Sequence, residues 1–247
     1  MKVLGVRIDK VTRKQALEKV GDFLNSDGQY KIFTPNPEML VDAQKDEYFK
    51  EVLNKGDLNI CDGFGLSVVS GVKKISGVDF MVDICALAEE TWRSVYLLGS
   101  GSDEILEKVK SSLKKSFPNL KVVGIDKGPV ISDHGSVISY DREENNELVA
   151  DIVMTSPDIL FVAFGHGKQE KWIEENLKQL PSVKVAMGVG GSFDFISGGV
   201  KRAPKFLRKI GLEWLFRLIL QPKRIKRIWK ATFKFIFLII FKNRTQI

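Results

Sequence analysis

One carboxylate, that of Asp62, has the sequence context of a general base. It follows residues 58–61 (Leu-Asn-Ile-Cys), which have the character of a buried strand, and it opens the glycine-rich turn 62–65. Partial burial at such a turn raises the pKa of a carboxyl group, and a raised pKa suits a group that removes a proton from a hydroxyl. The alternative interpretation is structural, with the Asp62 side chain capping a helix over residues 63–69.

Four further turns share this context, because each follows an apolar run and each is rich in glycine or polar residues. They are residues 34–38, 99–103, 165–170 and 188–194. Glycines let backbone N–H groups approach a ligand closely, and the helix N-termini that follow favour anions, so a phosphorylated or nucleotide ligand is the simplest interpretation. Gln169 and Glu170 suit recognition of sugar or base polar groups, although Glu170 alternatively complements its helix dipole.

Sequence signatures of cofactor and metal chemistry are missing. Residues 99–101 (Gly-Ser-Gly) match half of a dinucleotide-binding fingerprint, but Glu104 takes the place of its third glycine. The sequence has no Walker motif, HExxH, CxxC or DxD. His134 and His166, the two histidines, have no serine or cysteine at motif spacing. We therefore expect chemistry that uses neither a metal ion nor a cofactor.

Alternating strand and helix patterns must position these turns. Thr12 and Gln15 have capping-box spacing, and Asn36 and Pro37 suit an N-cap and a first helical residue. We predict an α/β fold, a Rossmann-like, mostly parallel sheet flanked by helices, with ligands at the carboxyl ends of its strands. Short β-branched runs predict strands at residues 2–8, 30–34, 57–61, 94–98, 121–125, 159–164 and 183–187.

Charge divides the 247 residues into two parts. Fourteen of the 38 lysines and arginines lie from Lys201 onward, where Glu213 is the only acidic residue, so this segment carries +13. The first 200 residues carry −6. We predict an α/β core over residues 1–196 and a basic, amphipathic helical appendage over residues 197–247 that binds a membrane.

The appendage has the pattern of a helix that lies on an anionic membrane surface. Pro222 predicts a break between two helices joined at Gln221. A spacing of 100° per residue then separates a basic stripe from an apolar one. The basic stripe contains Lys223, Arg227, Lys230 and Lys234, and the apolar stripe contains Ile225, Ile228, Trp229, Ile236 and Ile239. Nucleic acid, the rival partner, does not require such exposed apolar residues.

The same sequence features predict a peripheral location. The apolar run at residues 235–241 is seven residues long, whereas a helix needs about 20 to cross a bilayer. Residues 1–7 lack the apolar segment of a signal peptide, and Cys61 and Cys85 do not suggest a disulfide framework. We expect a cytoplasmic protein, peripheral on the inner face of the cell membrane.

Five ordered motifs, spread over nearly the whole chain, resemble those of the WecG/TagA/CpsF family of glycosyltransferases. They are residues 34–36 (Thr-Pro-Asn), 62–65 (Asp-Gly-Phe-Gly), 167–172 (Gly-Lys-Gln-Glu-Lys-Trp), 188–194 (Gly-Val-Gly-Gly-Ser-Phe-Asp), and 201–204 (Lys-Arg-Ala-Pro) followed by 211–215 (Gly-Leu-Glu-Trp-Leu). The resemblance implies an inverting, metal-independent hexosyltransferase with a UDP-sugar donor and an undecaprenyl-diphosphate-linked N-acetylglucosamine acceptor. The transferred sugar would be N-acetylmannosamine or a relative. The product would be a β-1,4 link in a wall teichoic acid linkage unit or a related surface glycan.

The resemblance also implies roles for individual residues of the core. Asp62 matches the base that deprotonates the acceptor hydroxyl. Four further residues match positions that bind the nucleotide-sugar donor: Thr34, Asn36, Gln169 and Asp194.

Four basic residues complete the implied site. Lys74 stands where the family usually has arginine, and we group it with the donor-binding residues although lysine lacks the two-pronged fork of arginine. Arg217, Arg224 and Arg227 match appendage arginines that reach the diphosphate. Alternatively, these three arginines contact lipid head groups.

A second class of function stays open at this point, that of a nucleotide-binding protein that tethers partners to the membrane without chemistry. The polar residues Asp62 and Gln169, beside glycine-rich strand ends, favour the enzyme. Whether copies of the chain form a homo-oligomer, and which oxidation state the donor sugar has at C6, are not determined by these patterns.

Overall fold

The computed structural model describes residues 1–209, 211–222 and 225–242, with only the backbone for Lys205, Lys209, Arg217, Lys226 and Lys242. Its strands are β1 Lys2–Val3, β2 Val6–Arg7, β3 Tyr30–Phe33, β4 Leu58–Asn59, β5 Ser94–Gly99, β6 Lys121–Asp126, β7 Ser132–Asp133, β8 Ile138–Ser139, β9 Ile159–Ala163 and β10 Val185–Gly188. Its helices are α1 Arg13–Asn25, α2 Pro37–Asp42, α3 Glu47–Asn54, α4 Phe64–Ser70, α5 Gly77–Glu90, α6 Asp103–Ser116, α7 Arg142–Thr155, α8 Lys168–Asn176, α9 Ser192–Ile196, α10 Lys205–Lys209, α11 Glu213–Leu220, α12 Ile225–Trp229 and α13 Phe235–Lys242. A 3-10 turn, Leu177–Gln179, follows α8, and a π-helical segment, Lys230–Lys234, joins α12 to α13.

The centre of the molecule is a parallel sheet, which confirms the predicted α/β class. Within the described residues its six strands lie in the order β4-β3-β10-β9-β5-β6, and every pair is parallel. Because the strands are parallel, all of their carboxyl ends meet at one edge of the sheet. The turns that follow β3, β4, β5, β9 and β10 are the polar and glycine-rich turns of the sequence.

Both faces of the sheet are buried under helices. Along β5, Tyr96 and Leu98 point into the hydrophobic cluster that contains residues of α2, α3, α7 and α8. Val95 and Leu97 point into the cluster on the opposite face, which contains residues of α1, α5 and α6. This alternation follows from the period of two residues in a strand, and burial on both faces explains why the strands are apolar throughout.

Local capping signals are confirmed at two helix starts. Thr12 and Gln15 form a reciprocal capping box at α1. The Asn36 side chain accepts a hydrogen bond of 3.1 Å from the Met39 N–H, and Pro37 is the first residue of α2. The α2 cap positions the turn after β3 against the neighbouring turns of the sheet edge.

The prediction of one strand over residues 2–8 was wrong. This segment forms an antiparallel hairpin in which Lys2 pairs with Arg7. The turn places Leu4 at φ 49° and Gly5 at φ 80°, a left-handed conformation that glycine adopts without strain. A pattern of β-branched residues does not reveal a reversal of direction that depends on one glycine.

The C-terminal segment packs against the core beside α2. As predicted, the helix is interrupted near Pro222, since α11 ends at Leu220 and α12 begins at Ile225. Phe235, at the start of α13, is only 1% exposed and belongs to the cluster that also contains residues of α2. Burial of this ring therefore anchors the segment.

The helical wheel of the appendage is altered at one point. Residues 230–234 are π-helical, so their side chains turn by less than 100° per residue and the two stripes drift around the helix axis. Lys223 lies outside the described residues. In the described ranges, no helix has the length and apolar character needed to cross a membrane.

Candidate active site

A polar cavity of about 710 Å³ lies at the carboxyl ends of the strands. We call it the strand-end cavity. It is lined by the turns after β3, β5, β9 and β10, at residues that include Thr34, Asn36, Ser100, Gly101, Gln169 and Asp194. Four of the five predicted donor-binding residues therefore lie around one cavity, although as many as 160 positions separate them in the sequence.

A second, more apolar cavity of about 530 Å³ lies next to it, between α4 and the C-terminal segment. We call it the appendage groove. Its apolar lining includes Phe64, Val68, Val69, Trp214, Ile228, Ala231, Phe235 and Ile236. Unlike the strand-end cavity, the groove exists only because the C-terminal segment packs beside the core.

Asp62 lies where the two cavities meet and lines both of them. Four other residues also line both cavities: Asn36, Val78, Phe195 and Arg227. A group at this junction can contact a polar ligand on one side and a ligand with an apolar part on the other. Val78 and Phe195 carry no sequence signal that marks them as site residues, because they are ordinary apolar residues of helices.

The Asp62 carboxylate is held by backbone N–H groups. Its Oδ1 accepts a hydrogen bond of 2.8 Å from the Gly63 N–H, and the Gly77 N–H also donates to the carboxylate. Gly63, not Asp62, is the N-cap of α4, and no side chain caps that helix. The alternative interpretation of Asp62 as a helix cap is therefore not what the structure shows.

The environment of Asp62 raises its pKa above the ordinary carboxyl value. Burial is the largest cause, and the negative charge of Glu213 acts in the same direction. The positive charge of Lys74 and the two backbone N–H groups oppose the shift without cancelling it. A carboxyl group with a raised pKa is a stronger base once ionised, which suits the removal of a proton from a hydroxyl.

Gly77 allows this close packing. A Cβ at this position would lie 3.3 Å from Thr34 Cγ2 and 3.5 Å from Asp62 Oδ2. Gly77 is the first residue of α5, so the N-terminus of that helix is directed at the carboxylate. Gly77 was not among the residues predicted from the sequence, because the need for glycine arises from its contacts with Thr34 and Asp62.

Gln169 is held in one orientation by its neighbours. Its Oε1 accepts a hydrogen bond of 2.9 Å from the Gly190 N–H, and its Nε2 donates to Glu170 Oε1 at 2.7 Å. Glu170 is buried, which raises its pKa, and it also accepts from the Gly167 N–H at 2.7 Å. A Cβ on Gly188 would lie 2.7 Å from Gln169 Nε2, so this glycine admits the amide. Gln169, oriented by Glu170, thus ties the turn after β9 to the turn after β10.

Lys74 lies apart from the other predicted donor-binding residues. It lines the appendage groove, whereas the lining of the strand-end cavity does not include it. Its Nζ lies 3.4 Å from Glu213 Oε2, in the first turn of α11. Glu213 also lies 3.7 Å from Arg202 Nε, so the carboxylate sits between two cations.

The appendage arginines are described only in part. Arg224 and the Arg217 side chain lie outside the described residues. Arg227 lines both cavities, and its guanidinium forms hydrogen bonds of 2.9 to 3.1 Å with the Glu38 carboxylate. Lys230 donates to Asp42 at 2.8 Å. Both cations are therefore paired with carboxylates of the core, although the Arg227 side chain stays half exposed.

His166 completes this acidic and basic cluster. Its Nε2 lies 3.0 Å from Asp42 Oδ2, and its Nδ1 lies 3.5 Å from the Arg227 guanidinium. Burial works against the imidazolium, but the hydrogen bond to Asp42 and the charges of Glu38 and Glu170 outweigh it and raise the His166 pKa. Glu38, Asp42 and His166 have ligand atoms within 4.8 Å of one another. The two carboxylates already accept hydrogen bonds from Arg227 and Lys230.

Comparison with known proteins decides the family. The sequence profile described as "Glycosyl transferase WecG/TagA/CpsF family" matches residues 1–247. The chain belongs to the WecG/TagA/CpsF family of glycosyltransferases. This establishes it as a glycosyltransferase and confirms the family resemblance of its motifs.

Two similar proteins illustrate the relationship of this glycosyltransferase to its family. One, from Bacillus subtilis (strain 168), is 34% identical over 204 residues, covering 80% of this chain and 74% of the relative. The other, from Staphylococcus aureus (strain NCTC 8325 / PS 47), is 31% identical over 234 residues, covering 92% of this chain and 87% of the relative. Both relatives are named N-acetylglucosaminyldiphosphoundecaprenol N-acetyl-beta-D-mannosaminyltransferase.

Proposed function

We propose that this glycosyltransferase moves N-acetylmannosamine from a UDP-linked donor to undecaprenyl-diphosphate-linked N-acetylglucosamine. The observation that carries the proposal is the position of Asp62 at the junction of a polar cavity and an apolar groove. The strand-end cavity suits a nucleotide-sugar, and the appendage groove suits the lipid-bearing acceptor. The names of the two relatives describe the same acceptor and the same sugar.

The proposed reaction is a single inverting displacement. Asp62 takes the proton of the acceptor hydroxyl, whose oxygen forms a bond to the anomeric carbon. The bond between that carbon and the phosphate oxygen breaks, and UDP leaves with the electron pair. The product carries a β-1,4 link, as in the linkage unit of a wall teichoic acid or a related surface glycan. The raised pKa of Asp62 supports its role as the base.

Departure of UDP requires compensation of negative charge on the diphosphate. We assign this task to Arg217, Arg224 and Arg227 without a metal ion. Arg227 lies at the junction, where its guanidinium is paired with Glu38 and lines both cavities. The core over residues 1–196 binds the donor through Thr34, Asn36, Gln169 and Asp194. The appendage over residues 197–247 completes the site.

We further propose that the appendage holds the enzyme on the inner face of the cell membrane. Large apolar side chains of this segment are exposed: Trp214, Leu215, Ile219, Leu220, Ile225, Trp229, Phe233, Ile236, Phe237, Ile240 and Phe241. An apolar surface of this kind suits insertion into the headgroup region of a membrane. Because Arg227 and Lys230 are paired with the core, insertion contributes more to binding than these two charges do.

The direct test is release of UDP from UDP-N-acetylmannosamine in the presence of a lipid-linked N-acetylglucosamine acceptor. We expect release only when both substrates are present, and a drop in kcat of about 10²- to 10⁴-fold for Asp62→Asn, which removes the base but keeps the shape of the side chain. Binding of UDP-sugar without any release of UDP would support a tether and contradict the enzyme proposal. Unchanged turnover by Asp62→Asn would contradict the base assignment alone.

The role of the appendage arginines has its own test. Arg224→Ala and Arg227→Ala are each expected to lower turnover on a water-soluble acceptor analogue, because the leaving diphosphate loses a compensating charge. Membrane binding does not limit this reaction. Normal rates with the analogue would restrict both residues to lipid contacts.

A further inference from the structure

The ion pair between Lys74 and Glu213 lies beside the proposed base and joins the core to the appendage. Lys74 belongs to the segment that leads into α5, and Glu213 belongs to the first turn of α11. Their charged atoms are 3.4 Å apart, and both side chains line the appendage groove together with Asp62. Both are largely buried, at 23% and 18% exposure, so solvent screens the pair only in part.

The Lys74 segment is held next to Asp62 by the backbone. The Ile75 N–H donates to the carbonyl oxygen of Cys61 at 2.8 Å, so the residues preceding α5 run alongside the end of β4. In this position the Lys74 ammonium has two anions within its electrostatic reach, Asp62 in the core and Glu213 in the appendage. In the structure its hydrogen bond goes to Glu213.

We propose that Glu213 is a positioning residue, which holds the Lys74 ammonium away from the Asp62 carboxylate so that docking of the appendage activates the base. The inference rests on the proposed role of Asp62. Without Glu213, Lys74 would be free to pair with Asp62, and an ion pair of that kind weakens a carboxylate as a base. The glutamate therefore makes the strength of the base depend on whether α11 is docked.

The charged groups around Asp62 allow this effect to be separated from others. Lys74 approaches from the segment before α5, Glu213 from α11, and Arg202 from the segment before α10. Arg202 is engaged by Asp79, with hydrogen bonds of 2.5 and 2.8 Å, so it has a partner whether or not Glu213 is present. The N–H groups of Gly63 and Gly77 act on Asp62 in all variants alike.

The experiment is a titration of the Asp62 carboxyl group by NMR in protein labelled with ¹³C-aspartate, the signal being assigned by its loss in Asp62→Asn. Glu213→Gln is expected to lower the Asp62 pKa by about 1 unit or more, because the negative charge of Glu213 is lost and Lys74 is released to stabilise the carboxylate. In the Lys74→Met background only the charge is lost, so the same substitution is expected to lower the pKa by clearly less. Lys74→Met by itself is expected to raise the Asp62 pKa, because the positive charge that opposes burial and Glu213 is then removed. The same opposite shifts should appear in the acid limb of the pH profile of kcat/KM.

A control distinguishes this mechanism from general loosening of the appendage. Lys230→Gln removes another ion pair between the appendage and the core, the one with Asp42, and is expected to leave the Asp62 pKa unchanged. An unchanged Asp62 pKa in Glu213→Gln, or shifts in the same direction for Glu213→Gln and Lys74→Met, would overturn the inference. The titration does not require turnover. Absence of UDP release would therefore contradict the proposed function, while the Asp62 pKa values of the variants would still test the role of Glu213.

Discussion

The strand-end cavity and the appendage groove are built in different ways, although Asp62 belongs to both. The cavity is made of backbone turns that the parallel sheet brings together, and hydrogen bonds such as that from the Gly190 N–H to Gln169 hold its side chains. The groove is made of apolar side chains from α4 and from the C-terminal segment, which meet only when that segment docks. One half of the site is therefore part of the core, and the other half depends on a packing contact.

Apolar burial and ion pairing contribute unequally to the free energy of that packing contact. Burial of an aromatic side chain such as Phe235 contributes about 1.5–3 kcal/mol. The ion pair of Arg227 with Glu38 leaves the arginine half exposed, and exposed pairs contribute less than about 1 kcal/mol. Docking of the appendage thus depends mainly on apolar contacts, while its ion pairs determine which side chains face the junction.

The largest expected effect comes from removing the apolar anchor of the groove. Phe235→Ala should cost about 3–5 kcal/mol of packing free energy, because a buried ring leaves a cavity. We expect kcat/KM for the lipid-linked acceptor to fall by about 100-fold or more, since about 1.4 kcal/mol corresponds to a factor of ten. The dissociation constant of the UDP-sugar, measured by calorimetry, should change little. Phe206→Ala, at a 69% exposed ring outside the groove, is the matched control. Equal losses of donor binding and acceptor turnover would show that the two cavities are not independent.

The complementary change lies in the strand-end cavity. Gln169→Ala deprives the Gly190 N–H and the Glu170 carboxyl of a partner, and an unsatisfied buried group costs about 1–3 kcal/mol. The KM for the UDP-sugar is expected to rise about tenfold with the KM for the acceptor unchanged, as steady-state kinetics with each substrate varied would show. The exposed Gln179→Ala serves as control. A rise in the acceptor KM alone would contradict the assignment of this cavity to the donor.

A smaller effect is expected for membrane binding. Trp229→Ser removes an exposed apolar ring from the appendage, and the fraction of protein that floats with anionic liposomes should fall several-fold. Trp92→Ser, at an exposed ring of the core, should have no such effect. Added salt, which screens charge, should reduce flotation less than Trp229→Ser does. If salt alone abolished flotation, the exposed charges rather than the apolar surface would carry the interaction.

The smallest effect concerns His166. Because its pKa is raised in the folded protein, its bond to Asp42 stabilises the fold fully below the unfolded value of about 6.5 and is lost as the pH rises through the folded pKa. We expect hydrogen exchange in α2 and α12, corrected for intrinsic rates, to become slightly faster across that pH range. His166→Gln should remove this step. A step that persists in His166→Gln would assign it to another group.

Much of the fold and part of the site could be predicted because the signals are local or depend on topology alone. The cap of α2 at Asn36 and the capping box of α1 need only neighbouring residues. The grouping of Thr34, Asp62, Gln169 and Asp194 follows from the parallel sheet, which collects all strand ends at one edge. Gly77 was missed because the need for glycine arises from a contact with two turns distant in sequence.

The sequence by itself determined the α/β class, the family and the ring of polar turns, since periodicity, capping residues and ordered motifs are properties of the chain. Only the tertiary structure decided which way the appendage faces the core. A π-helical segment changes its helical register, Arg227 turns toward Glu38, and Lys74 pairs with Glu213 across the groove. These choices depend on burial and on charges far apart in sequence, which a helical wheel does not contain.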